Sequence, residues 1–230
     1  MTNFQCVLLA GGLLKDDAYH QELLSQAKTI ICADSGANEV LRLGFKPDYV
    51  VGDLDSLHPQ NLEMLKTAKL IRYPREKDYP DTYYALQKAL QLGYQRIALL
   101  ACLGKRFDHA YANVMLLTLP EVRNLDVRIL EPEQEIFLVK KKMKIKGQKG
   151  ATLSLLPLSE KVRGITTQGL YYQVENGTFT QGYPLGVSNV LIEDVFEISL
   201  ESGLLLALHN KKKKSGNFRF LDPTGYFSGT

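Results

Sequence analysis

Two aspartates sit two residues apart in Gly52-Asp53-Leu54-Asp55-Ser56, directly after the apolar run Tyr49-Val50-Val51. Such a run ends a β-strand, and in extended chain residues two apart point the same way. Asp53 and Asp55 then aim two carboxylates at one spot. The pair repels itself unless a cation is present, and hard oxygen ligands of this kind suit Mg²⁺. Gly52 lets backbone or ligand approach closely. This is the chemistry of a metal-held phosphate. The alternative is a strand running into an Asp/Ser-rich turn whose side chains bond only local N–H groups.

Chemistry-bearing residues recur at the ends of the neighbouring strands. The first strand ends in Ala10-Gly11-Gly12, where backbone N–H groups can face a phosphate, or simply turn the chain. The second ends in Ala33-Asp34-Ser35-Gly36-Ala37-Asn38. The fourth leads to Glu76-Lys77-Asp78-Tyr79-Pro80-Asp81, the fifth to Leu103-Gly104-Lys105-Arg106-Phe107-Asp108-His109. Asp78 and Asp81, three apart at a helix start, can share a face; they can also serve only the helix dipole. Lys105 and Arg106 can offset phosphate charge, Arg106 bidentately. Asp108 can cap a helix, and His109 can be a packed core histidine. In an open parallel sheet, ligands bind beyond the carboxyl ends of the strands, so all these pieces would line one crevice.

The elements that position them alternate. Strands are expected at 4–10, 29–33, 49–51, 70–73, 96–100 and 127–130. Helical patterns lie at 37–43, 61–68, 81–92 and 108–119, closed by Gly44, Gly93 and Pro120 or opened by Pro59. Strand–helix alternation means a mostly parallel sheet covered on both faces. After about residue 133 helical periodicity stops. Short Val-, Ile-, Thr-, Tyr- and Leu-rich runs are separated by glycines, and Asn176-Gly177 reads as a hairpin turn between 171–174 and 178–179. The expected architecture is therefore α/β plus all-β, with an α/β domain over 1–132 and an antiparallel β-sandwich domain over 133–214. A tail or extra edge strand follows over 215–230.

The bulk numbers fit this. The chain has 230 residues, 45% hydrophobic and 23% charged, with a net charge of +3, an ordinary globular composition too weakly basic to imply nucleic acid. No apolar run approaches membrane-span length, and Met1-Thr2-Asn3 opens no basic signal segment. Cys6, Cys32 and Cys102, odd in number and apolar in context, point to reduced thiols and a cytoplasmic setting. The lysine runs at 140–149 and 211–214 read as solvated edge strands or hairpin tips, with a patch for anionic partners as the alternative.

Taken in order, Asp34-Ser35-Gly36-Ala37-Asn38, Gly52-Asp53-Leu54-Asp55-Ser56, Glu76-Lys77-Asp78 with Asp81, and Gly104-Lys105-Arg106-Phe107-Asp108-His109 resemble the thiamine pyrophosphokinase (thiamine diphosphokinase) family, bacterial type. Leu156-Pro157-Leu158 with Val162–Thr167, then Gly186-Val187-Ser188-Asn189, are similar to its β-domain. The resemblance runs to about Leu208. It implies an α/β ATP-binding domain, a thiamine-binding β-sandwich and a homodimer. It also implies transfer of a pyrophosphoryl group from ATP to the thiamine hydroxyl, with Mg²⁺ as cofactor. By the resemblance, Asp53, Asp55 and Asp81 hold metal and phosphate, with Asp34, Asp78 and Lys77 beside them. Gly11, Gly12, Ser35, Gly36, Asn38, Lys105 and Asp108 belong to the nucleotide side, Arg106 contacts phosphate, and Ser188 and Asn189 lie on the thiamine side, across the dimer interface. Two positions depart from the family. Pro80 stands where a threonine is usual, and there is no tryptophan to stack on thiamine, so Phe179 or Tyr183 takes that place. Asp-x-Asp at a strand end also occurs in nucleotide-sugar glycosyltransferases, and a non-catalytic nucleotide or thiamine diphosphate sensor could keep the same fold. The ordered sets Glu76 to Asp81 and Gly104 to His109 argue against the former, and the full acidic set with Arg106 argues against the latter.

Overall fold

The computed structural model describes residues 4–104 and 106–211. Lys105, the lysines at 212–214 and the 215–230 tail lie outside the described residues. The apolar runs of the first half form parallel strands β1 (Cys6–Leu9), β2 (Thr29–Ala33), β3 (Tyr49–Gly52), β4 (Lys69–Arg72), β5 (Arg96–Leu100) and β6 (Asp126–Leu130), close to their expected limits. All residues of β1 and β2 are buried, because helices cover both faces of a parallel sheet. Helices α1 (Asp17–Ser25) and α2 (Gly36–Arg42) pack Leu24, Val40 and Leu41 on one face; α3 (Asp81–Gln91) packs Ala85, Leu86 and Ala89 on the other. Helix α4 (Phe107–Met115) continues into a short 3₁₀ turn whose Leu116 and Leu117 join α3's face.

In this half one expected helix is missing and one helix carried no expectation. The helix expected over 61–68 is a single 3₁₀ turn, Pro59–Asn61, followed by turns. Leu65 is its deep anchor while Leu62 and Met64 stay exposed, so no apolar face pays for a full α-helix. Helix α1 gave no clear sequence signal for the same reason, since only His20 and Leu24 are buried; its start is fixed by Asp16, whose carboxylate accepts the Tyr19 N–H at 3.0 Å.

The second half contributes β7 (Gln134–Leu138), β8 (Lys142–Lys146), β9 (Thr152–Pro157), β10 (Lys161–Gln168), β11 (Gly177–Thr180), β12 (Asn189–Val190), β13 (Val195–Ser199) and β14 (Leu205–Asn210). They make the expected sandwich, but one of its layers is not separate. Strand β7 pairs antiparallel with β6, so one ten-stranded sheet runs β12-β9-β14-β7-β6-β5-β1-β2-β3-β4, and a four-stranded sheet β11-β10-β13-β8 packs over its far end. Period-two alternation lets β7 and β14 serve two cores: Ile136 and Leu206 face the helices, while Phe137, Leu205 and Ala207 face the second sheet. The sheet therefore passes straight through the 131–133 boundary. Segment 171–174 is a loop rather than a strand, and β11 pairs with β10 instead. The 140–149 lysines lie on and around β8, an edge strand, where Lys144 pairs with Glu197 at 3.0 Å, as expected of lysines guarding an edge.

Candidate active site

Four of the parallel strands deliver their loops to one place. Asp34, Leu54 and Ala101, just beyond β2, β3 and β5, all have positive φ (44°, 66° and 56°), a conformation uncommon for non-glycine residues and concentrated at functional turns. The loops meet closely. A Cβ on Gly12 would lie 2.4 Å from the Ala101 carbonyl oxygen, and one on Gly36 would lie 2.7 Å from that of Leu9. Glycine is required at both positions for packing. Gly12 N–H donates to that Ala101 carbonyl at 3.2 Å, and Asp34 N–H to the Val51 carbonyl at 2.9 Å. The second bond seats Asp34 beside the end of β3.

Asp34, Asp53 and Asp55 consequently bring one carboxylate oxygen each within 4.8 Å of the others. Asp34 Oδ1 is buried with no hydrogen-bond partner, an arrangement that costs free energy unless something meets it. Asp53 accepts the Asp55 N–H at 3.2 Å. That bond, with Lys77 and Arg75 adding positive charge against its partial desolvation, holds its carboxyl below the ordinary range. The Ser56 hydroxyl donates to Asp55 at 3.0 Å. Three carboxylates of this kind, one of them carrying an orphaned oxygen, fit a hard divalent cation.

This grouping contains Asp34, whereas the family resemblance implies Asp81 as the third carboxylate beside Asp53 and Asp55. Asp81 is the first residue of α3, set behind Pro80, which precedes the helix without a side-chain cap. Its Oδ1 lies 3.0 Å from Lys77 Nζ, and the same ammonium is 3.8 Å from Asp53. The Lys77 side chain is only 9% exposed. Burial pushes the Asp81 carboxyl up, and Lys77 pulls it partly back. Lys77 thus bridges Asp81 to Asp53 of the trio, and the Asp34 and Asp53 charges lie near enough to Asp81 to push its carboxyl up as well.

An open cleft of about 710 Å³ lies alongside, over the end of β1. This is where the sheet order reverses direction, β2 lying on one side of β1 and β5 on the other, the position where open α/β sheets bind ligands. Of the expected residues, Gly11, Gly12, Asp34, Ser35, Asp81 and Arg106 line it. Lys15, Thr82, His109 and Asn113 line it too and carried no expected role. His109 is exposed to the cleft rather than packed in the core. Spacing could have found Asn113, since 106, 109 and 113 share one helix face. Its buried side chain donates to the Cys102 carbonyl at 3.0 Å, tying α4 to the β5 loop.

Other expected residues have different places. Asn38 is a brace: its amide donates to the Ser56 carbonyl at 3.0 Å and accepts from His58 N–H at 3.1 Å and Asn61 Nδ2 at 2.9 Å, fixing the loop after the Asp-x-Asp turn. Gly36 packs beneath the cleft, and Asp78 is exposed outside its lining. Asp108 sits inside the first turn of α4 rather than at its cap. It pairs with Arg106 through contacts of 2.6 and 3.2 Å, both side chains largely exposed.

Ser188 and Asn189 are at the opposite edge of the ten-stranded sheet. Seven strands separate β12 from β3, roughly 35–40 Å along the sheet. Ser188 has a φ of 59° and donates its N–H to Ser154 Oγ at 3.0 Å. Asn189 is buried and clamps the Tyr172 backbone, accepting its N–H at 3.0 Å and donating to its carbonyl at 2.6 Å. Phe179 is a core residue, 4% exposed, and so unable to stack on a ligand; Tyr183 is 71% exposed, with Tyr171, Tyr172 and Leu185 also exposed nearby in sequence.

A family model described as "Thiamin pyrophosphokinase, catalytic domain" matches residues 20–129, and one described as "Thiamin pyrophosphokinase, vitamin B1 binding domain" matches residues 137–205. The chain belongs to the thiamin pyrophosphokinase family. Its activity is accordingly that of a thiamine diphosphokinase, a diphosphotransferase. Among its relatives, the thiamine pyrophosphokinase of Bacillus subtilis is 29% identical over 184 residues, covering 78% of this chain and 86% of that one. Thiamine pyrophosphokinase 1 of rice (Oryza sativa subsp. japonica) is 26% identical over 211 residues, covering 80% and 79%. The fold matches a crystal structure of the Bacillus subtilis protein with a TM-score of 0.80 at 24% identity, covering 90% of this chain and 98% of that one. The thiamin pyrophosphokinase family protein of Enterococcus faecalis matches with a TM-score of 0.76 at 25% identity, covering 91% and 100%. The catalytic match holds the acidic trio and Arg106; the B1-binding match holds Ser188 and Asn189.

Proposed function

We propose that the protein transfers the pyrophosphoryl group of ATP to the hydroxyl of thiamine, giving thiamine diphosphate and AMP, as a Mg²⁺-dependent cytoplasmic homodimer with an α/β domain over 1–132 and a thiamine-binding domain over 133–214. The observation that carries this reading is the Asp34–Asp53–Asp55 trio, with its orphaned oxygen, at the shoulder of a cleft over β1. Asp34, Asp53 and Asp55 would hold Mg²⁺, which when bound supplies neutralising charge to phosphate oxygens. Pyrophosphoryl transfer needs positioning and charge more than covalent help, and the residues present supply both. Arg106 lines the cleft, exposed and paired with Asp108, and its guanidinium is suited to phosphate oxygens once it exchanges that partner. Asp81 is the cleft carboxylate whose proton affinity burial raises, which suits it to hold the proton lost by the thiamine hydroxyl. Tyr183, rather than Phe179, has the exposure to stack on thiamine.

The separation of Ser188 from the trio supports a site shared between two copies, each giving Ser188 and Asn189 to the other's cleft. The match of both family models favours this reading over a glycosyltransferase, which would lack the B1-binding half. The test is complementation. Asp53→Ala and Ser188→Ala proteins are each assayed for thiamine diphosphate with ATP, thiamine and Mg²⁺, then mixed, partly unfolded together and refolded. Both alone should be nearly inactive and the mixture should recover a substantial fraction of activity. Undiminished turnover in Asp53→Ala sinks the metal assignment, and no recovery on mixing sinks the shared site.

A further inference from the structure

The cleft is charged unevenly. Asp34 and Asp81 line it from β2 and α3, whereas Lys15 and Arg106 line it from the loops after β1 and β5. Arg106 is already engaged by Asp108. Lys15 is exposed and has no ion pair among the described residues. Glu131, half-buried after β6, feels its charge from beyond ion-pair distance. The loop bearing Lys15 is anchored at both ends, by Gly12 N–H on the Ala101 carbonyl at 3.2 Å and by the Asp16 cap of α1 at 3.0 Å. A lysine one residue ahead of a fixed helix cap has a settled Cα, and its exposed side chain reaches the cleft. Its loop also precedes residue 20, where the family match begins.

We propose that Lys15 binds the phosphate that departs with the nucleoside, the α-phosphate of ATP. This rests on the reading of the reaction given above. Strands β1 and β3 are two strand spacings apart, about 10 Å, so a triphosphate with its outer phosphates at the Asp34–Asp53–Asp55 trio extends over β1 toward Lys15. In the reaction the thiamine hydroxyl oxygen forms a bond to the β-phosphorus. The bond from that phosphorus to the α–β bridging oxygen breaks, its electron pair stays on that oxygen, and the hydroxyl proton passes to Asp81. The new charge appears on the AMP phosphate, where Lys15 meets it.

The experiment measures AMP and adenosine binding by calorimetry to wild-type protein, Lys15→Met and Lys15→Arg. Wild-type protein should bind AMP more tightly than adenosine. Lys15→Met should lose about ten- to a hundred-fold in AMP affinity, keep its adenosine affinity, and lower kcat; Lys15→Arg should restore most of the AMP affinity. AMP binding unchanged in Lys15→Met overturns the proposal, as does a wild-type protein that does not discriminate AMP from adenosine. An equal loss of inorganic pyrophosphate binding also overturns it, since that places Lys15 on the transferred group. If wild-type protein makes no thiamine diphosphate yet its AMP discrimination depends on Lys15, the reading of the reaction fails and the phosphate contact stands.

Discussion

Replacing Lys77 with methionine removes the ammonium that bridges Asp81 and Asp53 of the acidic trio. Lys77 Nζ lies 3.0 Å from Asp81 and 3.8 Å from Asp53. At an effective dielectric of about 20, each contact is worth about 4–6 kcal/mol of gross attraction. Most of this is offset by the cost of desolvating an ammonium whose side chain is 9% exposed. Asp81 and Asp53, 24% and 18% exposed, can also recover some solvent or a proton. The net loss should be about 1–3 kcal/mol, or about 3–10 °C in Tm for a chain of this size. The pH dependence has a definite sign. The Asp81 carboxyl is pushed up by burial, so its favourable contribution is complete below the unfolded value and is lost as pH rises through the folded one. Without Lys77 the folded value rises further, and the variant's deficit should be largest where Asp81 is ionised and shrink as falling pH protonates it. Thermal unfolding of both proteins in EDTA and in millimolar Mg²⁺ checks this. The deficit should be greatest in EDTA and be partly relieved by the cation, which supplies the missing positive charge. An unchanged Tm in EDTA, or a deficit indifferent to both Mg²⁺ and pH, would refute the electrostatic role given to Lys77.

Three further outcomes follow from named residues. Asp34→Asn should weaken Mn²⁺ binding, followed by electron paramagnetic resonance, about ten- to a hundred-fold, whereas Asp78→Asn, outside the trio, should leave it within twofold. Phe179→Ala should cost about 3–5 kcal/mol of stability because it empties a core position, while Tyr183→Ala should leave Tm unchanged and raise the KM for thiamine. All three cysteines are buried and free, and burial pushes the Cys6 thiol up to about 12. Ellman's reagent should therefore find no fast-reacting thiol in the native protein and three after denaturation.

The first half was legible because buried parallel strands are continuous apolar runs, and Gly44, Gly93 and Pro120 close its helices in plain view. The acidic trio was only partly legible. The spacing of Asp53 and Asp55 is local, but the approach of Asp34 to them depends on strand adjacency, through the Asp34 N–H bond to Val51, which no local pattern reveals. Lys15 carried no signal because a lysine before a helix cap looks like any solvated loop residue. In the second half the strand propensities were clear, but partners were not. Segment 171–174 has the composition of a strand, yet Asn189 holds Tyr172 in a loop, and nothing in the glycine-punctuated sequence says that β7 pairs with β6 and carries one sheet through both halves.

The central claim is transfer of an intact pyrophosphoryl group, and ³¹P nuclear magnetic resonance of the wild-type protein turning over ATP, thiamine and Mg²⁺ tests it most directly. The account predicts AMP and thiamine diphosphate accumulating in equal amounts from the first turnovers, with no ADP. Early ADP with thiamine monophosphate, or ATP hydrolysed to AMP and pyrophosphate with thiamine untouched, would contradict it.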